Sequence, residues 1–199
     1  KTAKRKYYIL SIIFLILSLL SKGQAVSFVI FIILIDIYFK KDWKKWKNLR
    51  EKIPFFLLSL VFGIIAICFQ NFFSSGKVIY EFSLTERFLI SSVALIKYIF
   101  LTLFPLYLSP IYPLPSPHQP LPFHFYIALI SIPIYIFLTY IAWRKNKKIF
   151  FALSVFFVTL FMMLDHTQVG KVIIADRFLY VPVLGFAFLL AGITEFLIQ

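Results

Sequence analysis

Basic residues in this chain fall into three short clusters separated by long apolar stretches. Fifteen of the 21 Lys and Arg residues lie in Lys1–Lys6, Lys40–Lys52 and Arg144–Lys148. The stretches between them are rich in Phe, Ile and Leu, and 61% of all residues are hydrophobic, whereas a soluble domain is nearer half apolar. Lys and Arg near the ends of membrane spans stay on the cytoplasmic side. The pattern therefore predicts an integral membrane protein with all three clusters in the cytoplasm.

The apolar stretches predict one all-α membrane domain over residues 1–199, with about six transmembrane helices. The predicted spans cover about residues 7–21, 24–39, 54–73, 126–143, 149–164 and 179–199. The first two form a hairpin that turns at Lys22 and Gly23. A single helix across both would be about 50 Å long, too long for a membrane core of about 30 Å.

One further helix has two possible placements. Ser83 and Glu86 have the spacing of a capping box, which predicts a helix over about residues 84–104. If it spans the membrane, Arg144–Lys148 lies outside. If it lies in the outer interface or re-enters there, that cluster stays in the cytoplasm. The charge rule favours the second placement, as does Lys97 near the helix centre, because a central Lys costs about 2.5–3.5 kcal/mol on insertion scales.

Two polar segments have their own local signals. Residues 105–122 contain seven prolines, whose fixed φ angles and missing N–H groups predict an extended outer loop, called here the Pro-rich loop. Trp43 and Trp46 are three residues apart within the second basic cluster. This spacing predicts an interfacial helix with both rings at the level of the lipid headgroups.

The net charge of +13 flanks apolar stretches, so anionic lipid is the expected partner and nucleic acid is not. The single cysteine, Cys68, has no partner for an internal disulfide. The eight acidic residues show no metal-ligand spacing, and dependence on a divalent metal stays open. No nucleotide-binding or hydrolase motif is present, so an activated substrate would have to supply the energy of any reaction.

Polar residues that the predicted topology places at the outer face form the candidate site. They are Lys22, Gln24, Lys97, His118, His124, Asp165, His166, Gln168, Lys171, Asp176 and Arg177. Acidic, imidazole and cationic groups together suit a phosphorylated lipid headgroup. Each also has a structural interpretation, since Lys22 and Lys97 can snorkel, Asp176 with Arg177 can cap a helix, and a loop histidine is usually solvated. Asp36 is predicted to lie at the cytoplasmic interface.

Five segments in order resemble the bacterial multispanning proteins related to the TMTC protein O-mannosyltransferases, which are glycosyltransferases of the GT-C fold. The segments are SKGQAVSFVIFIILIDIYF (Ser21–Phe39), EKIPFFLLS (Glu51–Ser59), LIKYIFLTLFPLYLSPIYP (Leu95–Pro113), QVG (Gln168–Gly170) and ADRFLYVPVLGF (Ala175–Phe186). The last contains the most specific motif, A-D-R-[FY]-x-Y-x-P.

The resemblance implies an enzyme that moves a sugar, such as mannose, from a polyprenyl-phosphate carrier to a protein hydroxyl or other acceptor on the outer face of a bacterial inner membrane. It implies that Lys97 and Arg177 contact the phosphate, with Lys22 a second candidate, and that Tyr98 and Tyr180 flank the headgroup. His166 is a further candidate for substrate binding. The general base is expected upstream of Lys1, with Asp176 a weaker candidate, because the chain is predicted to be a fragment. The alternative is a non-enzymatic module: a transporter or flippase of lipid-linked sugars, or an envelope scaffold.

Overall fold

The computed structural model of the chain is mostly helical and divides into two compact units, Lys1–Lys77 and Val78–Gln199. It describes residues 2–39, 49–74, 82–106, 108–110, 112–113, 115, 120–161, 163–164 and 172–198. The interfacial helix predicted around Trp43 and Trp46 lies outside these residues, and so does most of the second basic cluster.

The described residues of the first unit form three α-helices: α1 (Thr2–Ser21), α2 (Phe28–Tyr38) and α3 (Ile53–Ser74). The helix break predicted at Lys22 and Gly23 is confirmed. Lys22 has an extended backbone, with φ −154° and ψ 127°, and Gly23–Ser27 form a 3₁₀ helix before α2 begins. The core of this unit joins side chains from all three helices: Leu15, Leu19, Val29 and Phe55.

Asp36 and Lys52 form a buried ion pair in the first unit. The two side chains lie at the end of α2 and just before α3, and the two residues expose 8% and 7% of their surface. Nearby, the Tyr8 hydroxyl of α1 donates a hydrogen bond to the Glu51 carbonyl oxygen at 2.8 Å. Burial of an isolated charge is costly, so each charge requires the other. The predicted interfacial placement of Asp36 thus gives way to an internal contact between two segments.

Where the structure describes the second unit, it forms five α-helices and a small sheet. In chain order these are α4 (Leu84–Leu103), β1 (Tyr112–Pro113), α5 (Phe123–Ala128), α6 (Ser131–Lys145), α7 (Lys147–Phe161), β2 (Val172–Ile174) and α8 (Pro182–Ile198), with a 3₁₀ helix at Asp176–Phe178 before α8. Helices α5 and α6 follow one another with only a turn at residues 129–130 between them.

The capping box predicted at the start of α4 is confirmed. The Ser83 hydroxyl accepts a hydrogen bond from the Glu86 backbone N–H, and the Glu86 carboxylate accepts one from the Ser83 N–H at 2.8 Å. Seven consecutive residues of the helix, 89–95, are buried, whereas Phe88, Ile96, Phe100 and Leu103 are exposed. Helix α4 therefore packs against the core of the second unit along part of its length and keeps an exposed apolar side. Its placement in the outer interface stays a prediction.

Helices α7 and α8 pack at very short range. A Cβ atom added to Gly185 of α8 would lie 2.6 Å from the Ala152 carbonyl oxygen and 2.7 Å from the Phe156 backbone nitrogen of α7. Real Cβ atoms essentially never come so close to backbone. A glycine at this position therefore sets the distance between the two helices.

The prediction of about six transmembrane helices is wrong. Within the described residues, one helical stretch, Phe123–Lys145, is long and apolar enough to cross a membrane. Its 23 residues reach about 35 Å, whereas the 11 residues of α2 and the 15 of α7 reach about 16 and 22 Å. Helix α1 has 20 residues but carries Lys4, Arg5 and Lys6. The GT-C-like arrangement of several spans falls with this count, because hydropathy alone ignored where the helices break.

Candidate functional site

The Pro-rich loop is attached to the segment that precedes the A-D-R-F motif. Strand β1 of the loop pairs antiparallel with β2, with Tyr112 opposite Ile174 and Pro113 opposite Val172. Ile174 is fully buried. The extended conformation predicted for the prolines suits an edge strand, where a missing N–H is tolerated. The pairing brings the loop beside Ala175–Phe178, which is separated from it by about sixty residues of sequence.

Helix α4 contacts this junction through the buried side chain of Tyr98. The side chain of Tyr98 is fully buried, and its hydroxyl oxygen accepts a hydrogen bond from the Ala175 backbone N–H at 3.3 Å. Burial raises the pKa of Tyr98 to about 12, and the negative charge of Asp176 acts in the same direction, against the hydrogen bond from Ala175. The hydroxyl therefore stays protonated at physiological pH.

Asp176 is held by the Pro-rich loop. One carboxylate oxygen, Oδ2, accepts a hydrogen bond from the Ser109 backbone N–H, and the Tyr112 hydroxyl also bonds to this carboxylate. The other oxygen, Oδ1, is buried and has no hydrogen-bond partner among the described residues. Partial burial and the charge of Asp176 raise the pKa of Tyr112, so its hydroxyl remains a donor.

Two exposed cations lie at the same junction. The Lys97 ammonium lies over the Tyr112 ring, 5.5 Å from the ring centroid, and the Arg177 guanidinium lies over the Phe178 ring at 5.2 Å. Within the part of the chain that the structure describes, neither side chain forms an ion pair within 4.0 Å. Asp176 therefore binds the loop instead of pairing with Arg177, and both positive charges remain available to an anion.

The remaining predicted site residues fall in different places. Tyr180 follows the motif in the second unit and is 58% exposed. Lys22 belongs to the first unit, at the break between α1 and the 3₁₀ helix. His124 is exposed at the start of α5, beside the Phe125 ring. Asp165, His166, Gln168, Lys171 and His118 lie outside the described residues.

Two residues of the junction, Ser109 and Tyr112, were not among the predicted site residues. Both belong to a segment that carried the family resemblance, Leu95–Pro113, and their partner Asp176 belongs to another, Ala175–Phe186. The two segments therefore meet in the folded unit. Shared membership in the resemblance was the available signal, but no local pattern marks a backbone N–H at Ser109 as a ligand.

Among the described residues, no group of three or more His, Cys, Asp or Glu side chains is arranged to hold a metal ion. Comparisons with protein-family models, curated proteins and solved structures found no match to this chain. The candidate site is therefore the junction of α4, the Pro-rich loop and the A-D-R-F motif, called here the loop–motif junction.

Proposed function

We propose that this protein binds the phosphate of a polyprenyl-phosphate sugar at the loop–motif junction and transfers the sugar to a hydroxyl acceptor. The observation that supports this proposal is the presence of two exposed cations, Lys97 and Arg177, that form no ion pair with any described residue and lie beside a carboxylate that other groups already hold. A binding site for an anion requires positive charge that internal acids have not neutralised.

The stretch Phe123–Lys145 supports attachment to a membrane. Its 18 most apolar consecutive residues are only 22% buried. Large side chains such as Ile134 and Phe137 are exposed. It ends with Trp143, Arg144 and Lys145, an aromatic and basic pattern typical of a membrane–water interface. In this proposal that end faces the cytoplasm, and the Pro-rich loop, which precedes Phe123, faces the opposite side.

The chemistry requires stabilisation of the leaving group. The bond between the anomeric carbon of the sugar and the phosphate oxygen breaks, and a bond from that carbon to the acceptor oxygen forms. The acceptor proton passes to a carboxylate base. Negative charge develops on the phosphate as its bond breaks, and Lys97 and Arg177 would stabilise it. Asp176 is assigned to positioning, because its hydrogen-bond partners belong to the Pro-rich loop.

Binding to lipid nanodiscs that contain polyprenyl phosphate tests the first half of the proposal. Lys97→Ala and Arg177→Ala should each weaken binding roughly tenfold, since a hydrogen bond to a charged group contributes about 1.5–3 kcal/mol. Lys147→Ala is the matched control. This exposed cation lies at the start of α7, where α6 and α7 connect, and not at the end of α7 that leads to β2 and the junction. Unchanged binding in both test variants would refute the site.

Transfer in vitro from a panel of polyprenyl-phosphate sugars tests the second half. The complete protein should transfer one of these sugars to a peptide or glycan acceptor, and Lys97→Ala should lower the rate at saturating donor. The alternative function, a module that binds or moves the same lipid, is favoured by one observation: the carboxylate at the junction is already bonded to Ser109 and Tyr112. Binding that needs Lys97 without any transfer would support that alternative.

A further inference from the structure

We propose that Tyr112 is a positioning residue that keeps the Lys97 ammonium apart from the Asp176 carboxylate at the phosphate site. This inference rests on the proposed function, in which Lys97 binds phosphate. Its observational basis is that one tyrosine contacts both charged groups. The ring lies under the Lys97 ammonium, and the hydroxyl bonds to the Asp176 carboxylate.

Lys97 requires such a restraint. A lysine side chain has four rotatable carbons and a compact charge, and an exposed one adopts many conformations. Attraction between a cation and the face of an aromatic ring favours the conformations that place the ammonium over Tyr112. In the described part of the chain no other ring or acid contacts Lys97. The ring is therefore the contact that defines where this charge lies.

The ring position is itself defined by the fold. Tyr112 lies in β1, opposite the fully buried Ile174 in β2. Its hydroxyl also shares the Ser109 backbone N–H, which donates to the Asp176 carboxylate. The backbone is thus held by the sheet and the hydroxyl by the loop, which leaves the ring little freedom to follow the lysine.

The hydroxyl has a separate consequence for charge. Among the described residues, Asp176 is the acid that contacts this junction, and an ion pair with Lys97 would neutralise the charge that binds phosphate. The Tyr112 hydroxyl and the Ser109 N–H occupy the carboxylate instead. Removing the hydroxyl should therefore allow Lys97 to turn toward Asp176, and the positive charge presented to the ligand should fall.

Three variants separate the two contacts in the nanodisc binding assay with polyprenyl phosphate. Tyr112→Phe keeps the ring but loses the hydroxyl, and it should weaken binding about threefold. Tyr112→Leu loses both contacts and should weaken binding about tenfold, in keeping with the modest strength of an exposed cation–ring contact. Tyr112→Phe combined with Asp176→Asn should recover most of the lost binding, because the competing negative charge is gone.

Recovery that is larger in the Tyr112→Phe background than the gain from Asp176→Asn alone is the decisive result, since a merely structural role for Tyr112 would give the same electrostatic gain in both backgrounds. Tyr135→Phe is the matched control, because it removes the hydroxyl of a buried tyrosine, bonded to the Leu153 carbonyl oxygen, from the same unit without touching the junction. Binding should be unaffected there. Thermal unfolding of every variant checks that the second unit is folded.

The outcomes distinguish this inference from the proposed function. Wild-type binding in Lys97→Ala would overturn the proposed function and this inference with it. Weaker binding in Lys97→Ala, together with wild-type binding in Tyr112→Leu, would overturn only the positioning role. Failure of Asp176→Asn to recover any binding in the Tyr112→Phe background would also overturn the positioning role, while leaving the phosphate site in place.

Discussion

Gly185 and Phe156 approach each other so closely that the backbone of α7 occupies the space where a side chain on α8 would begin. The nitrogen of Phe156 would lie 2.7 Å from a Cβ atom on residue 185, and the Ala152 carbonyl oxygen would lie 2.6 Å from it. Both neighbouring atoms belong to helix backbone, so neither can move aside without displacing α7. The packing of these two helices therefore depends on the absence of one methyl group.

We expect Gly185→Ala to destabilise the second unit by about 1–3 kcal/mol, the usual cost of overpacking a tightly packed core. The measurement is thermal or denaturant unfolding in detergent. Gly192→Ala is a matched control on the same helix, where a Cβ would meet nothing within 4 Å. That control should stabilise by about 0.5–1 kcal/mol, because Ala is the better helix former. Equal effects of the two substitutions would contradict the close approach.

The buried pair in the first unit predicts a difference between breaking an ion pair and replacing it. Asp36→Ala leaves the Lys52 ammonium buried without its partner and should cost about 3–5 kcal/mol. Asp36→Leu combined with Lys52→Met removes both charges and should restore most of the stability. Denaturant unfolding or resistance to trypsin reports the effect. If the double variant is as unstable as Asp36→Ala, the ion pair does not explain the loss.

The capping box at Ser83 predicts a dependence of stability on pH. Hydrogen bonds from the Ser83 backbone N–H and side chain lower the pKa of Glu86 below its usual value. A carboxylate with a lowered folded pKa contributes stability above the unfolded value, about 4.3, and loses that contribution as pH falls through the folded value. Glu86→Gln should show a flatter fall of the thermal midpoint below about pH 4.3. Parallel curves for wild type and variant would exclude Glu86 as a contributor.

The exposed apolar surface of Phe123–Lys145 predicts stable insertion into lipid. Ile134→Asp and Phe137→Asp place a charge in the middle of this stretch, each at a cost of about 2.5–3.5 kcal/mol on insertion scales. The fraction of protein that resists carbonate extraction from membranes should fall in both variants. Lys147→Asp is the control, because it changes a charge beyond the end of the stretch. Unchanged extraction of Ile134→Asp and Phe137→Asp would show that the stretch does not hold the protein in a membrane.

Local signals in the sequence predicted local structure well. The helix predicted over about residues 84–104 extends from Leu84 to Leu103, so each end lies within one residue of the prediction. Its start was predictable because it depends on a contact between Ser83 and Glu86, which are three residues apart. The break at Lys22 was predicted in the same way, from a polar interruption between two apolar runs. Contacts between residues three or four apart depend on nearby residue types, so the sequence pattern predicts them directly. They also cost little conformational entropy, because only a short segment must be ordered to form them.

The number of membrane spans was mispredicted because hydropathy reports how apolar a segment is, and not how many of its residues form one continuous helix. The apolar run over residues 24–39 suggested a full span, but Gly23–Ser27 adopt a 3₁₀ conformation and α2 keeps only 11 residues. Similarly, the apolar run over residues 149–164 suggested a full span, but α7 has only 15 residues and ends at Phe161. Burial in protein and burial in lipid select the same side chains.

The sequence by itself determined the helical content, the capping box and the helix break at Lys22, and it predicted a site that includes Lys97, Tyr98, Asp176 and Arg177. The tertiary structure alone decided that Ser109 and Tyr112 hold Asp176, that Tyr98 supports Ala175, and that Asp36 pairs with Lys52. Ser109 and Asp176 are 67 residues apart, and Tyr98 and Ala175 are 77 apart. Such contacts depend on how helices and strands pack, and packing is a collective property of both surfaces rather than of either segment alone.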